Sequence, residues 1–232
     1  MRSEKVVLVQ PSLVRLYPHG GERHKLEPLA LEMIAAHNPY GIPVEIYDMD
    51  IYPYWNEFEE FLRREKPTVI GIMVNTPLVK EAREITEKAR KVLGDVFVVV
   101  GGNHPTHEPE HALEYIKPDL VWRGDGENFL KVLCEGILHQ EAEKGNKIFV
   151  SDRLGGLGGD IRTNRYAMDI LNFPIRHNPR DYFFTSIQAS RGCVWKCIYC
   201  GSADKDVVWR TAESILKELD QLHEKGLLDK KI

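Results

Sequence analysis

Three of the four cysteines in the chain lie close together, in the segment RGCVWKCIYC. Cys193, Cys197 and Cys200 have the spacing CxxxCxxC, whereas Cys134 lies apart from them in an apolar pattern of helical period. Clustered cysteines in a chain that we expect to be cytoplasmic indicate metal or redox chemistry and not a disulfide framework. The three clustered cysteines are therefore the first candidates for a chemically active site, and Cys134 is interpreted as a small buried hydrophobe.

Three kinds of site could use this motif. A structural zinc site needs four ligands, commonly in two separated pairs, and no second pair accompanies these cysteines. A dithiol redox pair would need only the CxxC of Cys197 and Cys200. Three thiolates in one tight loop can instead bind three irons of a four-iron, four-sulfur (4Fe-4S) cluster and leave the fourth iron open. The preceding Arg191-Gly192, the aromatic Tyr199 and the position after a predicted strand favour the iron–sulfur cluster.

Two glycine-rich segments supply a second set of candidates. VVVGGNHPT places Gly101 and Gly102 directly after a run of β-branched residues, and WRGDGEN places Gly124 and Gly126 ahead of a helical pattern. Glycine permits positive φ and lets the backbone approach a flat or phosphate-bearing ligand closely. Tight turns without a ligand would have the same composition. Taken alone, these glycines leave both interpretations open.

The elements that would position these residues follow from the hydrophobic pattern. Nearly continuous apolar runs predict five strands, buried on both faces, at 5–10, 44–48, 68–74, 96–100 and 119–122. Helical periodicity alternates with them, at about 27–37, 55–65, 78–92, 109–116 and 127–138. This alternation predicts an α/β fold with a Rossmann-like, doubly wound parallel sheet, and such sheets bind ligands at the carboxyl ends of their strands. The candidate binding loops are 11–26, 48–54, 75–78, 101–107 and 123–127.

The order of these motifs resembles the cobalamin-binding-domain family of radical S-adenosylmethionine enzymes. KPTVIGIMVNT is similar to that family's third strand and its loop, GGNHPT to its glycine-rich loop, and the cysteine segment to its cluster motif. The resemblance implies a 4Fe-4S cluster on Cys193, Cys197 and Cys200, with Tyr199 on the adenine side of S-adenosylmethionine. It also implies that cobalamin is contacted by Asn75, Thr76, Gly101, Gly102, Asn103, Gly124 and Glu127.

One loop departs from the pattern of cobalamin domains that supply a histidine to cobalt. Those domains carry Asp-x-His-x-x-Gly after the first strand, whereas PSLVRLYPHGGERHKL has no such arrangement around His19 or His24. If cobalamin binds, we expect its lower axial position to lack a protein histidine. A further histidine, His104, is predicted to organise its loop by hydrogen bonding and not to bind a metal, because a metal site needs more ligands at suitable spacing.

Three regions are predicted. They are a Rossmann-like cobalamin-binding domain at 1–140, a linker at 141–181 and the start of a radical S-adenosylmethionine partial (β/α)6 barrel at 182–232. Within the linker, RLGGLGGD at 153–160 is interpreted as a flexible turn, because no helical pattern follows it as a phosphate loop would require. Also in the linker, MDILNFPIR resembles the family's short segment before the barrel.

The barrel start is predicted to contain one strand and one helix. YFFTSIQAS at 182–190 has the composition of a strand, and the following helix would begin at Thr211 and end at Gly226. Because one strand and one helix cannot bury a barrel core, we expect this region to pack on the first domain, to be poorly ordered or to be completed by further chain. The chain is accordingly expected to be the N-terminal part of a larger enzyme and inactive alone.

The resemblance implies a radical reaction. One electron from the cluster would split S-adenosylmethionine, and the resulting 5'-deoxyadenosyl radical would remove hydrogen from an unactivated carbon that then receives a methyl group from methylcobalamin. Two alternatives stay open: a radical enzyme with a vestigial cobalamin domain that performs a cyclisation or rearrangement, and a non-catalytic cobalamin-binding or cluster-binding module. Methylthiotransferases fit less well, because their N-terminal domain brings its own cluster cysteines. Expected partners are a small-molecule or natural-product substrate and an electron donor such as flavodoxin or ferredoxin.

Composition excludes several other classes. The 232 residues are 43% hydrophobic and 28% charged, which is ordinary for one or two globular domains. A formal net charge of -4 without blocks of like charge disfavours a nucleic-acid-coating protein. The longest apolar runs, such as VFVVV, fall short of the roughly 20 residues of a membrane helix, and the first residues lack a signal-peptide pattern. We therefore expect a cytoplasmic protein with no nucleic acid or membrane partner.

Overall fold

The computed structural model describes residues 4–12, 25–151, 167–182, 184–201 and 206–228. The predicted turn at 153–160, with His19 and His24, lies outside these ranges. The described residues form a six-stranded sheet in which every pair is parallel and a two-stranded antiparallel sheet. None of the helices in the described ranges is long and apolar enough to cross a lipid bilayer.

All five predicted strands form in the large sheet, and a sixth strand extends it. The strands are β1 Val6–Gln10, β2 Val44–Asp48, β3 Val69–Met73, β4 Phe97–Gly101, β5 Leu120–Arg123 and β6 Ile148–Val150. Their spatial order is β2-β1-β3-β4-β5-β6. The chain therefore runs outward from β1 to β2 and returns past β1 to β3, and a doubly wound sheet binds its ligand beside such a reversal.

Eight α-helices lie in the described residues. They are α1 Leu29–Ala36, α2 Trp55–Glu65, α3 Val79–Leu93, α4 Asn103–His107, α5 Pro109–Ile116, α6 Phe129–Cys134, α7 Ile137–Glu143 and α8 Ala212–Glu224. The predicted helix at 127–138 is two helices, because Gly136 interrupts it with a φ of 75°. At the start of α8, the Thr211 hydroxyl accepts a hydrogen bond from the backbone N–H of Ser214, as predicted for its N-cap.

The two faces of the large sheet each carry a separate apolar core. On one face, strand residues such as Val7 and Ile70 pack with Phe58 and Leu62 of α2 and with Ile85 of α3. The other face is covered by α1, α6 and α7, through residues that include Leu31, Leu130, Leu133 and Leu138. Because both faces are covered, the strands are nearly continuous in buried apolar residues, which is the pattern that identified them in the sequence.

Two predictions about the second half of the chain differ from the structure. β6 lies inside the predicted linker, where its three residues pair with β5, so the sheet continues past the predicted boundary at residue 140. The predicted strand at 182–190 is reduced to β7 Ser190–Arg191, which pairs with β8 Val208–Trp209. A strand needs a hydrogen-bonding neighbour along its length, and the described residues offer these residues only a two-residue partner.

The segment from residue 167 onward, which includes α8, packs against α1 of the first domain. Met168, Leu171 and Val208 form a small apolar core with Met33. Beside it, Arg176 bridges Glu27 (2.7 Å) and Glu218 (2.5 Å), and all three side chains are nearly inaccessible to solvent. The expectation that this region packs on the first domain is met by these contacts.

Candidate functional site

A cavity of about 510 Å³ lies at the carboxyl ends of β3, β4 and β5, on the face that α1 covers. Its inner wall includes Leu8, Gly71 and Val99, which are aligned side by side on β1, β3 and β4. A Cβ on Gly71 would lie 2.9 Å from the Leu8 side chain, so the missing side chain lets Leu8 lie across the sheet. Apolar residues of α1, including Leu29 and Ile34, form the opposite wall.

Most of the residues proposed from the sequence as cobalamin contacts line this one cavity. They are Asn75, Gly101, Gly102, Asn103, Gly124 and Glu127. Thr76 does not line it, because its hydroxyl forms a hydrogen bond with Nδ1 of His104 (3.3 Å). The structure thus brings loops from three neighbouring strands to a single edge of the sheet, and contact between these residues and a ligand remains a prediction.

Gly102 is required by the shape of its loop. Its φ is 104°, and a Cβ there would lie 3.0 Å from the backbone nitrogen of Val74 in the loop after β3. Because L side chains rarely adopt such a φ and backbone cannot give way easily, only glycine joins the two loops without strain. The positive φ and the close backbone approach expected of this glycine are therefore both present, and its turn lines the cavity.

His104 organises the neighbouring loop, as predicted. Its ring is buried, with Nδ1 near the Thr76 hydroxyl and Nε2 3.0 Å from Nδ1 of His111. Burial lowers the pKa of His104, and His111 lowers it further. Both ring nitrogens form hydrogen bonds with protein groups. The neutral imidazole of His104 therefore has a structural role in the loop.

The cysteine motif lies on the connection between β7 and β8. Cys193 and Cys197 are partly buried and Cys200 is exposed, while the buried Cys134 lies elsewhere in α6. Nowhere in the described ranges do three or more His, Cys, Asp or Glu side chains converge closely enough to hold a metal ion. The three thiols therefore share a loop without converging, and Tyr199, predicted on the adenine side, is 89% exposed and outside the cavity wall.

Arg191 joins the cysteine loop to the cavity. This residue ends β7, and its guanidinium bridges Glu127 Oε1 (2.6 Å) and Asp125 Oδ2 (3.3 Å) on the loop after β5. Burial by itself would lower the pKa of Arg191, but Glu127 and then Asp125 outweigh it and raise the pKa. Arg191 stays charged, so it forms charge-assisted hydrogen bonds across the boundary between the two predicted domains.

A second cluster of buried charges lies beneath α1, outside the cavity. Arg176 and Arg210 face the carboxyl groups of Glu27, Glu32 and Glu218. Burial, and then the charge of Glu27, raise the pKa of Glu32 to about 8. The proton that this raised pKa favours on Glu32 reduces the negative charge that faces Arg176 and Arg210.

A buried carboxyl group at the end of β2 completes this polar region. Asp48 accepts a hydrogen bond of 2.7 Å from the Tyr182 hydroxyl, and the backbone N–H of Asp50 donates to its other oxygen (2.8 Å). Burial raises the pKa of Asp48 to about 7, although both hydrogen bonds lower it. The loop at 48–54, a candidate binding loop in the sequence, therefore joins the first domain to Tyr182 and does not line the cavity.

Several cavity residues were missed by sequence reasoning. They are the apolar residues of α1, Gly71, Trp122, Gln188 and Arg191. Gly71 carried a usable signal, because a lone glycine inside an apolar strand often marks a close approach. The α1 residues carried none, and Arg191 was noted only beside the cysteine motif, since contact with the cavity depends on how distant parts of the chain pack.

Comparison with known proteins shows what this fold and this arrangement of loops resemble. Residues 23–133 match the B12 binding domain family. A solved structure of the cobalamin-dependent S-adenosylmethionine radical enzyme OxsB, with aqua-cobalamin and S-adenosylmethionine bound, superposes with a TM-score of 0.72 at 21% identity. That match covers 99% of this chain and 33% of the OxsB chain. The six-stranded sheet is therefore a Rossmann-like B12-binding fold.

Curated relatives agree with this class. An uncharacterized methyltransferase from Pyrococcus horikoshii is 26% identical over 182 residues, covering 73% of this chain and 39% of the relative. The hopanoid C-3 methylase of Methylococcus capsulatus is 25% identical over 224 residues, covering 88% of this chain and 42% of the relative. The chain thus spans about two fifths of the length of these two relatives. The chain is therefore similar to cobalamin-dependent radical S-adenosylmethionine enzymes, through a B12 binding domain match over residues 23–133 and through these relatives.

Proposed function

We propose that this chain is the cofactor-binding part of a cobalamin-dependent radical S-adenosylmethionine enzyme that transfers a methyl group to an unactivated carbon. The observation that carries the proposal is the placement of the cysteine loop against the cavity, through Arg191 and the loop after β5. When bound, the cluster with S-adenosylmethionine would supply a 5'-deoxyadenosyl radical, and cobalamin would supply the methyl group.

The lining of the cavity fits a corrinoid in its chemistry. A corrinoid combines a broad apolar macrocycle with amide side chains, and the cavity offers apolar walls from Leu8 and Met33 and flat glycine loops. It also offers an acceptor, since Oε2 of the buried Glu127 has no hydrogen-bond partner within the described ranges. In this proposal Asn75, Asn103 and Glu127 orient the corrinoid, while α1 excludes water from it.

The cysteine loop fits a 4Fe-4S cluster in the type and number of its donors. Three thiols on one short connection can ligate three irons, and this leaves an iron for S-adenosylmethionine. Cys193, Cys197 and Cys200 would hold the cluster, and Tyr199 would contact the adenine of the second cofactor. Because these side chains are partly or fully exposed and do not converge, we expect the loop to close around the cluster as it assembles.

Corrinoid binding is the first test. The purified chain is incubated anaerobically with hydroxocobalamin, and gel filtration then shows whether the protein peak keeps the corrinoid spectrum. We expect about one corrinoid per chain for the unaltered protein and none for Gly102→Val, which would also carry the strain described above. Gly94→Val is the matched control, because Gly94 has a φ of 75° with open space around it, far from the cavity.

A variant that spares the backbone separates ligand contact from loop strain. Ala30 lines the cavity from the exposed side of α1, so Ala30→Phe would fill part of the cavity without altering the glycine loops. We expect it to weaken hydroxocobalamin binding while the unfolding transition stays unchanged. Full retention of corrinoid by both Ala30→Phe and Gly102→Val would place the site elsewhere and contradict the proposal.

Cluster assembly is tested independently of corrinoid. Iron and sulfide are measured after anaerobic reconstitution of the unaltered chain, Cys197→Ala and Cys134→Ala. We expect Cys197→Ala to lose most of the cluster and Cys134→Ala to retain it, since Cys134 is buried in α6. Equal iron content in all three proteins would contradict the assignment of the cysteine loop.

The same experiments separate the two alternative functions. Cluster assembly without corrinoid binding favours a radical enzyme with a vestigial cobalamin domain that performs a cyclisation or rearrangement. Corrinoid binding without 5'-deoxyadenosine production by the complete protein favours a non-catalytic module. For the complete enzyme we further propose a small-molecule or natural-product substrate, a flavodoxin-like or ferredoxin-like electron donor, and a cytoplasmic location.

A further inference from the structure

The guanidinium of Arg191 is held by three side chains from two parts of the fold. Besides Glu127 and Asp125, it donates to Gln188 Oε1 through Nη2 (2.9 Å) and Nε (3.3 Å). The Arg191 side chain is 19% exposed, so the contacts with the two carboxylates are only weakly screened by water. This arrangement fixes the end of β7 relative to the loop after β5.

The partner of Arg191 is itself incompletely satisfied. Glu127 is 3% exposed, and only its Oε1 is engaged by Arg191, while Oε2 is buried without a partner in the described part of the chain. A buried acceptor without a donor costs free energy that a hydrogen bond would recover. Because Glu127 and Arg191 both line the cavity, a ligand N–H bound there is a candidate donor for this oxygen.

The cysteine loop is held against the cavity loops near both of its ends. Arg191 is separated from Cys193 only by Gly192, whose φ of 102° turns the chain. At the other end, Gly201 directly follows Cys200 and lies against the ring of His107, where a Cβ would overlap the ring. His107 ends α4, the helix that begins beside Gly102. Each of these two cavity loops therefore contacts one end of the cysteine loop.

We propose that Arg191 and Glu127 are a positioning pair that couples occupation of the cavity to the ordering of the cysteine loop. The inference rests on the proposed function. Glu127 Oε2 accepts a hydrogen bond from an amide N–H of the corrinoid, which fixes the carboxylate. The fixed carboxylate holds Arg191, and Arg191 holds the chain that leads into Cys193. Corrinoid and cluster then each favour the binding of the other.

The coupling is measured as a ratio of two affinities. Methylcobalamin is titrated in the dark into the chain before and after anaerobic cluster reconstitution, and binding is followed by the corrinoid absorbance and by calorimetry. We expect the reconstituted protein to bind more tightly by about 10-fold, within the range typical of coupled sites. In Arg191→Gln the ratio should fall to about 1, whereas Arg191→Lys, which keeps the charge, should retain part of it.

A second readout needs no cluster. Alkylation of Cys193, Cys197 and Cys200 by iodoacetamide is followed by mass spectrometry in the cluster-free chain, with and without saturating methylcobalamin. We expect the corrinoid to slow alkylation in the unaltered protein and in Arg191→Lys, but not in Arg191→Gln or Glu127→Ala. Arg63→Gln is the matched control, because Arg63 pairs with Glu59 on the exposed surface of α2 and should leave both readouts unchanged.

The outcomes separate this inference from the function beneath it. A chain that binds neither methylcobalamin nor a cluster refutes the proposed function, and the coupling with it. A chain that binds both with an affinity ratio of 1, or in which Arg191→Gln keeps the ratio of the unaltered protein, overturns the coupling and leaves the proposed function in place. If Arg191 has only a structural role, Arg191→Gln should lower stability, and Arg191→Lys should not restore the ratio of the two methylcobalamin affinities.

Discussion

The sheet domain and the segment that follows it are held together by different physical means. In the sheet, strands β1, β3 and β4 bury almost only aliphatic side chains against helices on both faces. In the segment after residue 167, the apolar contact with α1 is small, and buried charges form much of the attachment. Apolar burial stabilises roughly in proportion to the area removed from water, whereas a buried ion pair is stabilising only with its full set of partners. The docking of the second region therefore depends on the presence of all its charged partners.

Removing an aromatic ring from the sheet domain should have the largest effect. Phe58 is fully buried and packs against Tyr47, with ring centroids 5.1 Å apart. Phe58→Ala should lower the free energy of unfolding by about 3–5 kcal/mol and shift the whole urea transition, because the segment cannot remain docked on an unfolded sheet. Tyr54→Ala, at a side chain that is 64% exposed, is the control and should change it by about 0.5 kcal/mol or less. A urea transition in two steps would contradict the expectation that the segment undocks when the sheet unfolds.

Removing the central arginine of the buried cluster should detach the segment and leave the sheet folded. Arg176→Ala leaves Glu27 and Glu218 without that partner, at a cost of about 3–5 kcal/mol. Limited proteolysis should then cleave the segment after residue 167 faster, while the main urea transition shifts less than for Phe58→Ala. Arg63→Ala breaks only an exposed pair and should cost roughly 1 kcal/mol or less. Unchanged proteolysis would show that the segment docks without the ion cluster.

The attachment of the segment should depend on pH. Burial, followed by the charge of Glu27, raises the pKa of Glu32 to about 8 from an ordinary value of 4.5. Between these values the folded form holds a proton that the unfolded form has lost, so this contribution is present at low pH and is lost as pH rises to about 8.

Two neighbours titrate with Glu32 and must be separated from it. Asp48, with a pKa of about 7, acts in the same direction, whereas burial lowers the pKa of His177, which favours the folded form at higher pH. Glu32→Gln is the discriminating variant, and urea midpoints at pH 5, 6, 7 and 8 should show a shallower decline than in the unaltered protein. An equal decline would assign the pH dependence to other groups.

The smallest effect is expected at the hydrogen bond between Thr76 and His104. Thr76→Val removes the hydroxyl from Nδ1 of His104 and should cost about 0.5–1.5 kcal/mol. Thr86→Val is the matched control, because the Thr86 hydroxyl donates to the Ala82 carbonyl within α3, and its loss should cost less. If Thr76→Val also reduced corrinoid binding as strongly as Gly102→Val, Thr76 would be a binding residue and not only a residue that holds the loop in place.

Sequence reasoning succeeded where the structure is determined by local pattern. The strand at 44–48 and the helices at 55–65 and 109–116 have the predicted bounds, because continuous or periodic apolar residues mark both of their ends. β6 was missed because its three residues, between polar neighbours, carry almost no pattern. The strand at 182–190 was overpredicted because its residues have strand composition but lack a neighbour to pair with.

In the cavity, too, sequence reasoning located the features set by local pattern and missed those set by distant contacts. The loops after β3, β4 and β5 were located in advance, since parallel strands must end at one edge and glycines mark the close approaches there. Other features depend on contacts between residues far apart in sequence. They are the position of Arg191, the cavity wall formed by α1, and the position of Thr76 outside that wall. No single-sequence pattern encodes such contacts.

The buried ion cluster also sets an order of events during synthesis. Every strand of the large sheet is complete once residue 150 has been made, whereas Arg176 reaches its partner Glu218 only after most of α8 exists. Domains generally fold as units, with the N-terminal one first during synthesis. We therefore expect a nascent chain to assemble its B12-binding sheet first and to place the cysteine loop upon it afterwards.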